Sequence, residues 1–255
     1  MIELLVTIAV MAILVVMLFG MVDAAAKLWK DNENRVDAYR EARAALNVIS
    51  SDLRAMLAST NTNYFATNAV GSVPADIVPN EGIFFLTTLP ATAQPSDNKG
   101  EICTAGYYRR WTKQNVNFGG TSGSDPTVSG YHLFRTFYGS DTTYSNLIAA
   151  SAQPLKDLAQ PADPTTAELL ARNIVSLEFR YYETNAPGNA QLKAWTRTTT
   201  NPLPQMIEVR LTALSDDFAK RLASDKTRWV TNDTYISNNM RTFVSRVQLP
   251  RLSGN

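Results

Sequence analysis

Hydrophobic and polar positions divide the chain into three stretches with different periods. From Leu4 to Val22 there are nineteen residues without a charge, and only Thr7 and Gly20 fall outside the strongly apolar set. As a helix rising about 1.5 Å per residue, this run spans roughly 28 Å, close to the ~30 Å hydrocarbon core of a bilayer. A helix apolar all round is not needed by a globular domain of this size, so the run reads as a membrane-spanning segment. A secretory signal peptide is the rival reading. It would carry basic residues ahead of a shorter apolar core, whereas no basic residue precedes Lys27 and only Ala24-Ala25-Ala26 resembles a cleavage site.

Beyond Val22 the helical period continues but becomes one-sided. Val36, Tyr39, Ala42, Leu46, Ile49, Leu53 and Met56 follow in steps of three and four, with Asp37, Arg40, Arg43, Asn47 and Arg54 between them. That spacing predicts an amphipathic helix with one core-facing stripe. Within it Val36, Tyr39, Leu46, Ile49 and Leu53 are expected to pack the helix onto the rest of the protein. No proline or glycine interrupts Met21 to Leu57, and Ser59 to Asn63 ends the pattern. One rod from Ile2 to about Ala58 is expected, roughly 85 Å long.

From Gly82 onward the period falls to two, with Gly, Pro, Ser and Asn between segments. Gly82–Leu89, Glu101–Trp111, Tyr131–Tyr138, Ile174–Tyr182, Leu192–Trp195, Met206–Leu214 and Phe243–Pro250 are predicted as strands. Met206–Leu214 alternates as a half-buried antiparallel strand should. In Ile174–Tyr182, Leu177, Phe179 and Tyr181 are assigned to one face and Glu178, Arg180 and Tyr182 to the other. Helix is expected at Thr165–Ala171 and Asp216–Ser224, a loop at Asn117–Gly130, and a turn at Asn185–Asn189. The domain reading is therefore a membrane helix at 1–22, its amphipathic continuation at 23–60 and a β-rich domain at 61–255. The fold class is α+β.

Composition narrows the chemistry. With 24 Lys and Arg against 23 Asp and Glu the net charge is +1, and no basic excess points to nucleic acid. The adjacent pair Arg109–Arg110 is expected on a solvated strand edge. One cysteine, Cys103, and one histidine, His132, allow no intrachain disulfide and no Cys/His metal cluster, and no Ser/His/Asp arrangement with a usable base is found, His132 being the only imidazole. Cys103 is expected to be partly buried, and His132 to be an ordinary surface or packing residue. Gly119, Gly120 and Gly123 lack the lysine and spacing of a phosphate-binding loop. Asp216-Asp217 reads as helix-start chemistry. Asp97, Asn98 and Glu101 read as turn residues before they read as a calcium site. No cofactor, metal set or catalytic residue is assigned. Tyr107, Tyr108 and Trp111 are expected in the core, with an exposed binding face as the other reading.

One residue breaks the apolar entry. Glu3 stands at the mouth of the run, where a carboxylate costs a few kcal/mol unless it reaches the interface or a positive partner. Met1-Ile2-Glu3-Leu4-Leu5-Val6-Thr7-Ile8-Ala9-Val10 resembles the prepilin-type N-terminal methylation motif, a Leu-Ile-Glu-Leu-Leu-Val pattern opening a long apolar helix. Further along, Leu169-Leu170, Val175, Leu177, Phe179, Tyr181, Trp195, Leu203-Pro204, Ile207, Val209, Leu211 and Val247 to Pro250 stand as in J-type minor pseudopilins of type II secretion. Verru_Chthon cassette pseudopilin-like proteins are similar too. The stretch from Asn61 to Gly130 matches neither.

The resemblance implies a pilin-like fold and a structural, non-enzymatic subunit of a type II secretion or type IV pilus-like filament. It implies an anchor in the bacterial inner membrane and a periplasmic domain. The partners it implies are other pilin-like subunits, a prepilin peptidase during maturation, and secreted cargo. Glu3 would meet the amino terminus of a neighbouring subunit and set axial register, while Leu4, Leu5, Val6, Ile8 and Val10 would pack in the filament core. The sequence departs from the motif in lacking leader, cleavage glycine and following phenylalanine, and Met1 stands where leucine is usual. A start placed at an internal methionine is the expected reason. A solitary anchored ligand-binding module is the alternative to a filament subunit, and a periplasmic enzyme is the third class.

Overall fold

A computed structural model describes residues 2–57, 65–66, 77–89, 100–112, 129–145, 167–183, 193–196, 203–222, 226–229 and 234–249. Helix α1 runs unbroken over Ile2–Arg54, 53 residues, or about 80 Å. Glu3 in its first turn and Arg54 in its last complement the helix dipole. Strands β1 (Phe65–Ala66), β2 (Ile77–Thr88), β3 (Ile102–Thr112), β4 (Gly130–Tyr138) and β5 (Glu168–Ala171) follow, with the short helix α2 (Ser140–Thr143) between β4 and β5. Strands β6 (Ile174–Glu183), β7 (Lys193–Ala194) and β8 (Met206–Leu214) come next. Helices α3 (Asp216–Leu222) and α4 (Thr234–Asn239) lead to β9 (Met240–Gln248).

The strands form two antiparallel sheets, ordered β1-β2-β3-β4-β5 and β7-β6-β8-β9. The helix expected at Thr165–Ala171 is instead strand β5, with Thr165 and Thr166 outside the described residues. Pairing decides it: Leu169 and Glu168 register with Phe134 and Arg135 of β4, so the segment's backbone groups are satisfied across the sheet. The turn at Asn185–Asn189, the stretch 59–63 and residues 117–128 of the expected loop also lie outside the described residues.

Helix α1 ends without a glycine because β2 caps it. Thr88 donates its backbone N–H to the Ala55 carbonyl at 3.1 Å, and Thr87 donates its hydroxyl to the Asp52 carbonyl at 3.1 Å. Carbonyls that the last turn leaves without a helical donor thus find partners on the sheet. The chain then runs beside β2, with the Leu57 N–H donated to the Leu86 carbonyl at 2.9 Å.

The core lies where the second half of α1 meets both sheets. Ala42, Ala45, Leu46, Ile49 and Leu53 bury against Ile83, Phe85, Tyr107 and Leu133 of the first sheet and Leu177, Ile207, Val209, Leu211 and Val247 of the second. A second cluster forms around Trp229, whose ring meets Trp111 and Tyr131 edge-on at 5.9 and 6.2 Å between centroids. Tyr107, Tyr108 and Trp111 are buried, as core residues rather than a binding face.

The far face of β3 carries a stack of Phe84, Tyr108 and Phe134, with centroids 6.4 and 6.1 Å apart. Phe84 lies over Gly106, its partner in register, so that an added Cβ there would stand 2.3 Å from the ring. Gly106→Ala is therefore expected to displace Phe84 and to cost about 1–3 kcal/mol, read as a lowered denaturation midpoint.

Candidate functional site

The feature that needs a partner is the first half of α1. Val6–Trp29 forms a 24-residue segment that contains an 18-residue window of mean hydropathy 2.5, and none of that window is buried. It is long and apolar enough to cross a membrane, and it extends past Asp23 and Lys27 to Trp29. Val6, Ile8 and Val10 stand with half or more of their surface exposed, and Leu4 and Leu5 belong to the same helix. Thr7 donates its hydroxyl to the Glu3 carbonyl one turn back. That bond lets a hydroxyl sit in an apolar run. Glu3 is exposed in the first turn, at the end remote from the sheets. Water is a poor neighbour for such a surface; lipid or other apolar helices suit it.

The second half of α1 holds the sheets by its apolar stripe and by buried charge. Leu46, Ile49 and Leu53 are fully covered, and Tyr39 is half-buried with its ring edge-on to Phe243 at 5.5 Å. Val36, expected on the same stripe, is 46% exposed, and it precedes Ala38, the first buried residue of the helix among those described.

Three ionic ties were not legible in the sequence. Asp52 of α1 accepts the Tyr107 hydroxyl and a 2.7 Å bond from Arg135, which also reaches Glu168 at 3.4 Å. Burial, reinforced by the Asp52 charge, holds the Tyr107 hydroxyl well above its usual range, so it remains a donor. Glu41 of α1 accepts from Arg172 at 2.6 Å, at the two-residue corner where the chain leaves β5 for β6. Asn173 takes a left-handed φ of 56° in that corner, a conformation asparagine tolerates. Its N–H is donated to His132 Nδ1 at 3.2 Å and its side-chain amide to Asp216. His132 is thus a buried packing residue.

The third tie joins the two sheets. Glu81 of β2 accepts two bonds from Arg109 of β3, and one from the Leu177 N–H of β6 at 3.1 Å. Arg109 also donates to the Ile174 carbonyl at 3.4 Å and lies 4.1 Å from the Tyr131 ring centroid. The solvated edge expected for Arg109–Arg110 is not found, because β3 is interior to its sheet and Arg109 is buried.

Strand β8 departs from simple alternation, since its outward Glu208 and Thr212 are covered as well. Glu208 is spanned by Arg246 at 2.7 Å and Arg210 at 3.0 Å. The Arg246 hydrogen bond holds its carboxyl below the usual glutamate range. A depressed folded-state pKa adds stability above the unfolded value, and that stability is lost as pH falls through the folded value. Glu208→Gln should therefore melt lower than the parent near neutral pH. The gap should close on acidification below the ordinary carboxylate range.

Elsewhere, a cleft of about 710 Å³ opens between Gly100–Ile102 and Ser140–Ser145. Glu101 lines it, while Asp97 and Asn98 lie outside the described residues. Among the described residues no group of three or more His, Cys, Asp or Glu is placed to hold a metal ion. Cys103 is buried.

No family model matches the sequence, and no curated protein matches it. Among solved structures, the chain is similar to a chain of the GspK–GspI–GspJ complex from the type 2 secretion system of enterotoxigenic Escherichia coli. The identity is 13% and the TM-score 0.35, over 84% of this chain and 99% of that one. The chain is an α+β protein in which one long N-terminal helix, apolar and exposed over its first half, is packed by its second half onto antiparallel sheets.

Proposed function

We propose that this chain is a minor pseudopilin, a structural subunit of a type II secretion or type IV pilus-like filament. The carrying observation is a glutamate in the first turn of an exposed apolar helix that continues, without a break, into a buried stripe. A free-standing anchor needs no carboxylate at that place. A helix that packs among similar helices gains from one, because a buried charge must find its counter-charge and so fixes axial position.

In this reading Val6–Trp29 holds the precursor in the bacterial inner membrane. Leu4, Leu5, Val6, Ile8 and Val10 then pack against neighbouring subunits, and Glu3 meets a neighbour's terminal amine. The sheets lie on the periplasmic side and contact partner subunits and cargo. A prepilin peptidase matures the chain. The role is structural rather than catalytic.

The test is co-purification from native membranes. Recovery of the chain with other subunits that bear the same N-terminal motif supports the filament reading. Recovery from the membrane without them points to a solitary anchored binding module.

A further inference from the structure

Strand β9 closes the second sheet, and its outer edge has no strand partner among the described residues. Exposed edges of this kind are ordinarily kept short, bulged, or broken by proline or outward charge. β9 has nine residues, an unshifted register with β8 from Met240 to Gln248, and no proline. Its two arginines do not guard the edge. Arg246 is drawn onto Glu208 at 2.7 Å, and Arg241 lies over the Tyr39 ring at 5.7 Å.

Which backbone groups face outward follows from the neighbouring strands. The Leu214 N–H is donated to Asn173, on the β6 side of β8, and the Leu249 N–H is donated to Gln205. Odd-numbered residues of β9 therefore bond to β8, and Thr242, Val244 and Arg246 turn their N–H and C=O groups to the open edge.

Side chains beside the edge define what fits it. On the helix-facing side, Arg43 and Arg54 stand exposed along one flank of α1, joined by the exposed Arg241 of β9. Arg43 rests 5.6 Å from the Phe243 ring. On the outer face Val244 is 48% exposed.

We propose that the free edge of β9 is a strand-addition site for an extended segment of a second polypeptide. That segment alternates acidic residues, which face the α1 arginines, with apolar residues, which face Val244. Main-chain bonds would supply affinity and this alternation specificity. The site lies on the sheet and does not depend on how the membrane helix assembles.

The experiment uses the full chain in detergent micelles and a capped, strand-length peptide alternating valine with glutamate. Its counterpart has lysine in place of glutamate. The glutamate peptide is expected to slow amide exchange at Thr242, Val244 and Arg246 by about tenfold or more, and the lysine peptide to leave it unchanged. Val244→Pro removes one outward N–H without touching a bond to β8, so it should abolish the protection while the protein still folds. Arg43→Glu combined with Arg241→Glu is the second variant and should transfer the preference to the lysine peptide. Absence of protection, equal protection by both peptides, or an unaltered preference in the charge-reversed variant would overturn the proposal.

Discussion

Glu3→Ala is expected to leave the chain in the membrane and its sheets folded, while recovery with partner subunits falls at least about tenfold. The physical basis is the mismatch between one carboxylate and its surroundings. Alanine in its place lowers the cost of entering hydrocarbon by a few kcal/mol, so an anchor whose only task is to stay in the bilayer should be held as well or better. A helix whose carboxylate pairs with a neighbour's amine loses an interaction worth more in lipid than in water. Glu3→Gln keeps the size and hydrogen-bonding capacity but not the charge, and should resemble alanine in assembly. Co-purification at parental yield by both variants would remove the register role and leave an ordinary interfacial glutamate at the helix entry.

Glu81→Ala is expected to be among the most destabilising single changes in the sheets. It removes three accepted bonds and leaves Arg109, whose side chain is 7% exposed, with a charge and no counter-charge. Breaking one side of a buried pair costs about 3–5 kcal/mol, which for a chain of this size lowers the melting temperature by roughly 10 °C. Because the pair joins β2 and β3 to β6, the loss should appear as easier separation of the two sheets. Faster exchange at the Leu177 amide would report it. Replacing both partners, Glu81→Leu with Arg109→Met, should recover most of the stability, since no charge is then stranded. A Glu81→Ala variant within about 1 kcal/mol of the parent would show the pair to be solvated and energetically minor.

Much of this architecture was legible because its cause is periodic. The apolar run, the three-and-four stripe ending at Met56, and strands β6 and β8 each announce themselves by the spacing of their side chains. Edges of burial were less visible. Val36 fits the stripe by spacing but is half-exposed, whereas Ala38 just beyond it is buried, and spacing alone carries no information about where burial begins. Leu169-Leu170 looked helical because Ala, Glu and Leu favour helices locally, whereas pairing with β4 decided the outcome.

The ionic ties were hidden for a different reason. Asp52, Glu81, Arg109 and Arg135 come from four separated elements, and nothing in the local sequence of any one distinguishes a buried charge from a solvated one. Glu3 is the exception. Its context is a continuous apolar run, so a single residue out of place could be seen without any structure.

The measurement that bears most directly on the central claim is mass spectrometry of the mature N-terminus, on protein expressed from its genomic reading frame and isolated from native membranes. A pseudopilin should yield a mature chain that keeps Glu3 and Val6–Trp29 and begins with a methylated amine a few residues ahead of Glu3. A mature chain beginning near Ala26 and recovered in the soluble fraction would contradict it, because the exposed apolar helix would then be a discarded export signal.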